Sequence, residues 1–363
     1  MVKICITGDI SFANIQEHKI GLYLKSIFEN SNLFVGNLEA VFTNYDRRRK
    51  LHPYHLKADK SLLNTIKIFD SFSLANNHIL DYGKKGFEDT VAVMKENGKY
   101  FFGAGISKKE AEKPFTNEIN GIKIAIWGVS RFANSRFYRK IGTASDRSKR
   151  LLKEITKYKK EGFFNIVMPH WSYEYVPYPS PLDRTVARRL VGAGADVIVG
   201  SHPHVAQGIE ELNGKTIFYS LGNFIFSSKD FADKSNWKLF KSFAVELSIA
   251  KDLTYSYRLI PYVTSDEQVE AANESDSKQI LEYVESISRN FSLPKEEYKI
   301  LFYESIRSMR VHRARLHVPV KSSKAKRSFL KKLRGVLIKI KYMNWQDFKL
   351  AYYLYFSSRF SKK

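Results

Sequence analysis

Cysteine is nearly absent: Cys5 stands alone among 363 residues, so the chain cannot form an internal disulfide and a thiolate metal site is excluded. It lies in the apolar run Ile4-Cys5-Ile6, where a small buried side chain is expected. No run of about 18 apolar residues occurs, which argues against a transmembrane helix. Residues Met1 to Asp9 lack an apolar core with a small-residue cleavage site, so a cytosolic setting is expected. Glycine (19) and proline (10) are too sparse for a collagen-like or low-complexity chain, while 44% hydrophobic residues supply a sizeable core. Acid is scarce in one place above all. From Lys321 to Lys363 there are thirteen Lys or Arg against the single acid Asp347, a net +12 of the chain's +23.

Short β-branched or aromatic runs alternate with amphipathic Lys- and Glu-rich stretches over residues 1–265, the rhythm of an α/β domain. Strands are expected at Lys3 to Thr7, Asn32 to Val35, Ser71 to Leu74, Tyr100 to Phe102, Lys123 to Trp127, Asn165 to Met168, Asp196 to Val199 and Thr216 to Tyr219. Antiparallel strands should follow at Ser242 to Ile249 and Leu253 to Pro261. Helices are expected at His18 to Glu29, Gly86 to Asn97, Ser145 to Glu161 and Leu182 to Gly192. Residues 266–318 lack strand signals and read as a helical extension. In 319–363, Phe329, Leu333, Val336, Leu337, Ile340 and Met343 recur at helical spacing among lysines and arginines, the pattern of a basic amphipathic helix on an anionic membrane face. A helix docked on protein is the alternative reading. The apolar stripe fits lipid better than it fits nucleic acid.

Apolar runs repeatedly stop at residues that ligate metals or move protons. Ile4 to Thr7 ends in Gly8-Asp9, and Leu33 to Val35 ends in Gly36-Asn37-Leu38-Glu39. Phe72 to Leu74 leads to Asn76-Asn77-His78 and Asp81, and Ile166 to Pro169 leads to His170-Trp171-Ser172-Tyr173-Glu174. Val197 to Gly200 leads to Ser201-His202-Pro203-His204, and Ile217 to Tyr219 ends in Ser220-Leu221-Gly222-Asn223. Ligands bind beyond the carboxyl ends of strands in open, largely parallel sheets, so these residues should converge. Carboxylate, amide and imidazole donors together suit Mn, Fe or Zn. Such a cation activates water and neutralises charge on a phosphoryl or acyl oxygen. Singly, each element has a bland reading: Gly8-Asp9 as a turn capping a helix, His78 or His170 as a structural imidazole. His202-Pro203-His204 says more, since an extended backbone sends both imidazoles to one side.

In this order the motifs resemble the CapA family of bacterial capsule and poly-γ-glutamate synthesis proteins, a branch of the calcineurin-like metallophosphatase superfamily. The likeness runs through residues 1 to 262, includes Phe102-Gly103-Ala104-Gly105, and is absent from the last hundred residues. It implies a four-layered α/β/β/α fold, with a metal centre between two sheets and a C-terminal helical extension. It also implies one or two divalent ions (Mn, Fe or Zn) held by Asp9, Glu39, Asn77, His170, His202 and His204. His78 takes the place of the proton donor, tuned by Asp81, and Asn37, Tyr173, Glu174 and Asn223 are assigned to substrate. Two positions depart from the superfamily: Ser11 stands where histidine is usual, and Asn37 where an aspartate bridges two metals. Either Glu39 replaces that bridge or the site holds fewer ions.

The resulting expectation is a metal-dependent hydrolase or transferase that makes or processes capsule, poly-γ-glutamate or a related surface polymer, acting on a phosphoester or amide. Its partners would be the anionic polymer or its precursor and the cytoplasmic membrane, which it would meet from the inner face through its tail. The alternative is a non-catalytic membrane-associated scaffold on the same fold.

Overall fold

The computed structural model describes residues 1–316 apart from 16, 49–53, 60–61, 133–140, 232 and 234. The basic helix expected in 319–363 lies outside the described residues. The chain divides into two compact units, Met1–Leu293 and Pro294–Lys363, the second containing the helix Lys295–Leu316.

Alternation along the strands of the first unit builds its layers. Ile4 and Ile6 turn one way from the Val2–Ile10 strand and Cys5 the other; on Phe164–His170, Ile166 and Met168 oppose Val167. Ile4, Ile6, Val35, Val245 and Leu247 of one sheet meet Ile124, Ile126, Ile166, Val197 and Phe218 of another in a central core. Behind the first sheet, Cys5, Phe34 and Phe72 pack against Leu24 and Phe28 of the helix Leu22–Glu29 and Phe87 of the helix Gly83–Glu96. Behind the second, Trp127, Val167 and Ile198 pack against Leu151 and Ile155 of Lys149–Lys160 and Val186 and Leu190 of Pro181–Ala193. Helix, sheet, sheet and helix form the four layers expected.

The eight leading strands therefore do not share one sheet. Val2–Ile10, Leu33–Leu38, Ser71–Ser73 and Tyr100–Phe102 run parallel in a nine-stranded sheet, which the antiparallel Lys241–Ile249 and Tyr255–Thr264 extend. Ile122–Ser130, Phe164–His170, Val197–Val199 and Lys215–Phe218 run parallel in a six-stranded one, edged by Phe115–Ile119 and Ile209–Leu212.

Two expectations need correction. Residues 266–293 are not helical throughout, because Gln268–Ala271 joins the first sheet; the helix Glu274–Ser288 that follows packs on the domain through Ile280 and Val284. The four-residue strand is too short to show a period. The helix expected from His18 starts only at Leu22, since Lys19 and Ile20 pair with Gln268 and Val269.

Candidate metal centre

Gly8-Asp9 is no turn: the Val2–Ile10 strand runs through it. Asp9 N donates to Gly222 O at 2.9 Å, and a Cβ on Gly8 would lie 1.9 Å from that oxygen, so only glycine admits the crossing. The register with Leu33–Leu38 shifts between Ile6 and Asp9, which sets Asp9 opposite Asn37 on one side and Asn223 on the other. Asp9 is fully buried. Its Oδ1 accepts from Asn37 Nδ2 at 2.8 Å and its Oδ2 from His202 N at 2.9 Å. Burial, then the charge of Glu39, pushes its carboxyl up to about 6.

His170 ends its strand between Ser130 and Ser201, its paired neighbours in the second sheet. Asn37 Nδ2 donates to its Nδ1 at 3.2 Å, while Nε2 faces Asn77 Oδ1 at 2.8 Å. A neutral ring with the proton on Nε2 satisfies both contacts, and burial pushes its pKa down to about 3. Glu39 Oε1 is 3.0 Å from the same Nε2. Among the described residues neither Glu39 oxygen accepts a hydrogen bond, although the side chain is fully buried. Burial raises its pKa, against the pull of His204 and His78.

The loop after Ser71–Ser73 is shaped by Asn76. Its Oδ1 accepts from His78 N at 3.1 Å and Ile79 N at 3.0 Å, and its Nδ2 donates to Leu38 O at 2.6 Å. His78 Nδ1 lies 2.8 Å from Asp81 Oδ2, which Leu56 N also approaches at 2.9 Å. Burial pulls the His78 pKa down, but Asp81, then Glu39 and Glu174, outweigh it and raise the value overall.

His202 and His204 converge, but not from extended backbone. Their φ values are 98° and 59°, left-handed, and the His202 N–H bond to Asp9 holds the turn. Their ring centroids are 5.8 Å apart, and His204 Nδ1 lies 2.9 Å from Asn223 Oδ1 and 3.6 Å from Asp9 Oδ2. Burial lowers the His204 pKa, but Glu39 and Asp9 raise it further than that. Ligand atoms of Glu39, His202 and His204 lie within 4.8 Å of one another, as do those of Asp9, Glu39 and His170, so Glu39 belongs to both groups.

With the geometry in place, comparison with known proteins is decisive. The family model "Bacterial capsule synthesis protein PGA_cap" matches residues 3–228, a stretch that holds every site residue from Asp9 to Asn223. The chain belongs to the PGA_cap capsule synthesis family. The PGA biosynthesis protein CapA of Bacillus subtilis (strain 168) is 31% identical over 291 residues, 77% of this chain and 74% of that protein. The capsule biosynthesis protein CapA of Bacillus anthracis is 36% identical over 218 residues, 56% of this chain and 53% of that one. Among solved structures, the 5'-nucleotidase of Candida albicans SC5314 overlaps loosely, with a TM-score of 0.41 and 14% identity over 86% of this chain and 58% of that one.

Within this PGA_cap site two residues expected to meet substrate are hydrogen-bonded to their neighbours. Asn223, assigned to substrate, has its amide engaged: Nδ2 donates to His204 O at 3.2 Å and Leu239 O at 3.0 Å, so it positions His204. Asn37 likewise joins Asp9 to His170. Ser11 Oγ accepts from Ala13 N at 3.3 Å within its own segment. Tyr173 and Glu174 lie half-buried on the loop after His170, and the Glu174 charge acts on Glu39, His78, His170 and His204. Tyr175 N ties that loop to Pro203 O at 2.8 Å.

Sequence reasoning placed Ser201 at a strand end but gave it no role, although its Oγ is 3.0 Å from His170 Nδ1, and it missed Phe132, whose ring centroid is 4.2 Å from that of His202. Neither contact carries a sequence signal, since each joins segments distant in the chain. Asn76 was legible, being an Asx residue that opens a functional loop.

Proposed function

We propose that the chain is a metal-dependent hydrolase or transferase in the assembly or processing of a capsule or poly-γ-glutamate polymer, acting on a phosphoester or amide bond. The observation that carries this reading is Glu39, a buried carboxylate without hydrogen bonds among the described residues that belongs to both groups of converging donors. A buried carboxylate left so is costly, and a divalent cation is the partner that fits it. Asp9, Glu39, Asn77, His170, His202 and His204 would hold one or two ions, with Glu39 as the shared carboxylate in place of Asn37. The oxygen- and nitrogen-rich donor set suits Mn, Fe or Zn. A bound cation supplies Lewis acidity.

The protein's own groups divide the remaining work. His78, held by Asp81 and with its pKa raised by its acidic neighbours, carries the proton for the leaving group. Asn223 and Asn76 fix the imidazole and the loop that must not move. Glu174 and Tyr173 face the substrate from the loop after His170.

Metal analysis of the purified protein and turnover of an aryl phosphate and a γ-glutamyl amide test this reading. Manganese-supported turnover of either, abolished by His204→Ala, is the expected result. The scaffold reading draws on Asn37, an amide standing between Asp9 and His170. Protein with no Mn, Fe or Zn and no thermal gain from adding them would favour it.

Among the described residues no helix is long and apolar enough to cross a membrane. Attachment to the inner membrane face is proposed for the basic tail. Truncation after Val318 should abolish sedimentation with anionic liposomes and leave metal content unchanged; equal sedimentation of both forms rejects the anchor.

A further inference from the structure

The turn Trp237–Leu239 and the helix Glu274–Ser288 bring an ammonium and two aromatic rings together beside the His204 loop. Lys238 Nζ lies 4.6 Å from the Tyr283 ring centroid and 5.9 Å from that of Trp237, and the two rings meet edge to face at 5.3 Å. All three side chains are half-buried. Short links tie the cluster to the site. Leu239 O accepts from Asn223, whose Oδ1 holds His204, and Tyr283 OH donates at 3.4 Å to Ala206 O, two residues past His204.

Lys238 differs from the cations around it. Lys241 pairs with Asp276 at 2.6 Å, and Glu282 and Glu285 of the same helix face Lys278 and Arg289. Among the described residues Lys238 has no carboxylate partner, and burial lowers its pKa. The ring faces return only part of what an ammonium loses when water is removed, so an anion completes its surroundings.

We propose that Lys238, Trp237 and Tyr283 form a subsite for a carboxylate-bearing segment of the substrate polymer, next to the metal centre. This inference rests on the polymer-processing reading above. A lone ammonium is a point charge that pairs with one carboxylate at a time, and a γ-linked glutamate chain offers one carboxylate per residue. The flat rings suit the methylene groups between successive carboxylates of a γ-linked chain.

Calorimetric titration of the full-length protein with γ-linked oligoglutamate, and with the same oligomer methyl-esterified, tests the subsite. Wild type should bind the acid form about tenfold more tightly, K238M should lose about fivefold to tenfold, K238E should lose more, and K238R should retain most of the affinity. Equal binding of acid and ester by wild type, no binding of either, or equal affinity of wild type and K238E overturns it. Thermal melting of K238M and K238R alongside wild type identifies a misfolded variant, so a misfolded mutant does not decide the matter. Metal content of the same samples tests the catalytic reading separately: metal-free protein whose affinity for the acid form still falls in K238M keeps the subsite and loses the hydrolase.

Discussion

Asn37 and Asp9 face each other across parallel strands, and Asn37 Nδ2 donates to Asp9 Oδ1 at 2.8 Å. The same nitrogen reaches His170 Nδ1 at 3.2 Å, so a neutral amide bonds both a carboxylate and an imidazole of the donor cluster. The other carboxylate of this donor cluster is Glu39, whose oxygens have no hydrogen bond among the described residues.

Asn37→Asp should reverse that arrangement. Two carboxylates this close repel unless a cation lies between them. Metal-free N37D should melt below wild type, bind more manganese per chain and gain more thermal stability from it. Unchanged metal content and an unchanged thermal gain would show that residue 37 does not set the charge of the site.

Asp81→Asn should separate proton transfer from binding. Asp81 is the nearest of the acids that hold the His78 pKa up, so its loss lowers that pKa. Turnover should fall about tenfold to hundredfold with little change in KM, and the limb of the pH profile set by His78 should move to lower pH. A profile that keeps its shape would remove His78 from the reaction.

His18 gives the fold a pH dependence away from the metal centre. Its Nε2 lies 3.3 Å from Ser265 O, and burial pushes its pKa down to about 4. The unfolded chain therefore takes up this proton first as pH falls from about 6.5 towards 4. Stability from this group is full at neutral pH and drops by about 3 kcal/mol across that window. Urea midpoints at pH 7 and pH 4.5 should separate widely for wild type and less for His18→Gln; equal separations would refute it.

Gly8→Ala should act on fold and site together. The added methyl collides with Gly222 O, whose bond to Asp9 N seats the carboxylate. A loss of about 2 kcal/mol or more in denaturant unfolding is expected, together with reduced metal content. A variant as stable as wild type would mean that the two strands part without cost.

The amino-acid sequence by itself determined the eight leading strands, the polar residues at their ends and the burial of Cys5. Each depends on short-range alternation, which dictates the face a side chain takes whatever lies beyond it. Only the tertiary structure decided that the eight leading strands divide four and four between two sheets, because alternation reads the same in either. It decided that Asp9 lies between Asn37 and Asn223, through a register shift at Gly8 that no local pattern announces. It also set the left-handed turn through His202 and His204, and brought Lys238 to Tyr283 from segments 45 residues apart. Register, handedness and such meetings are set by packing between distant segments, and local periodicity carries no record of them.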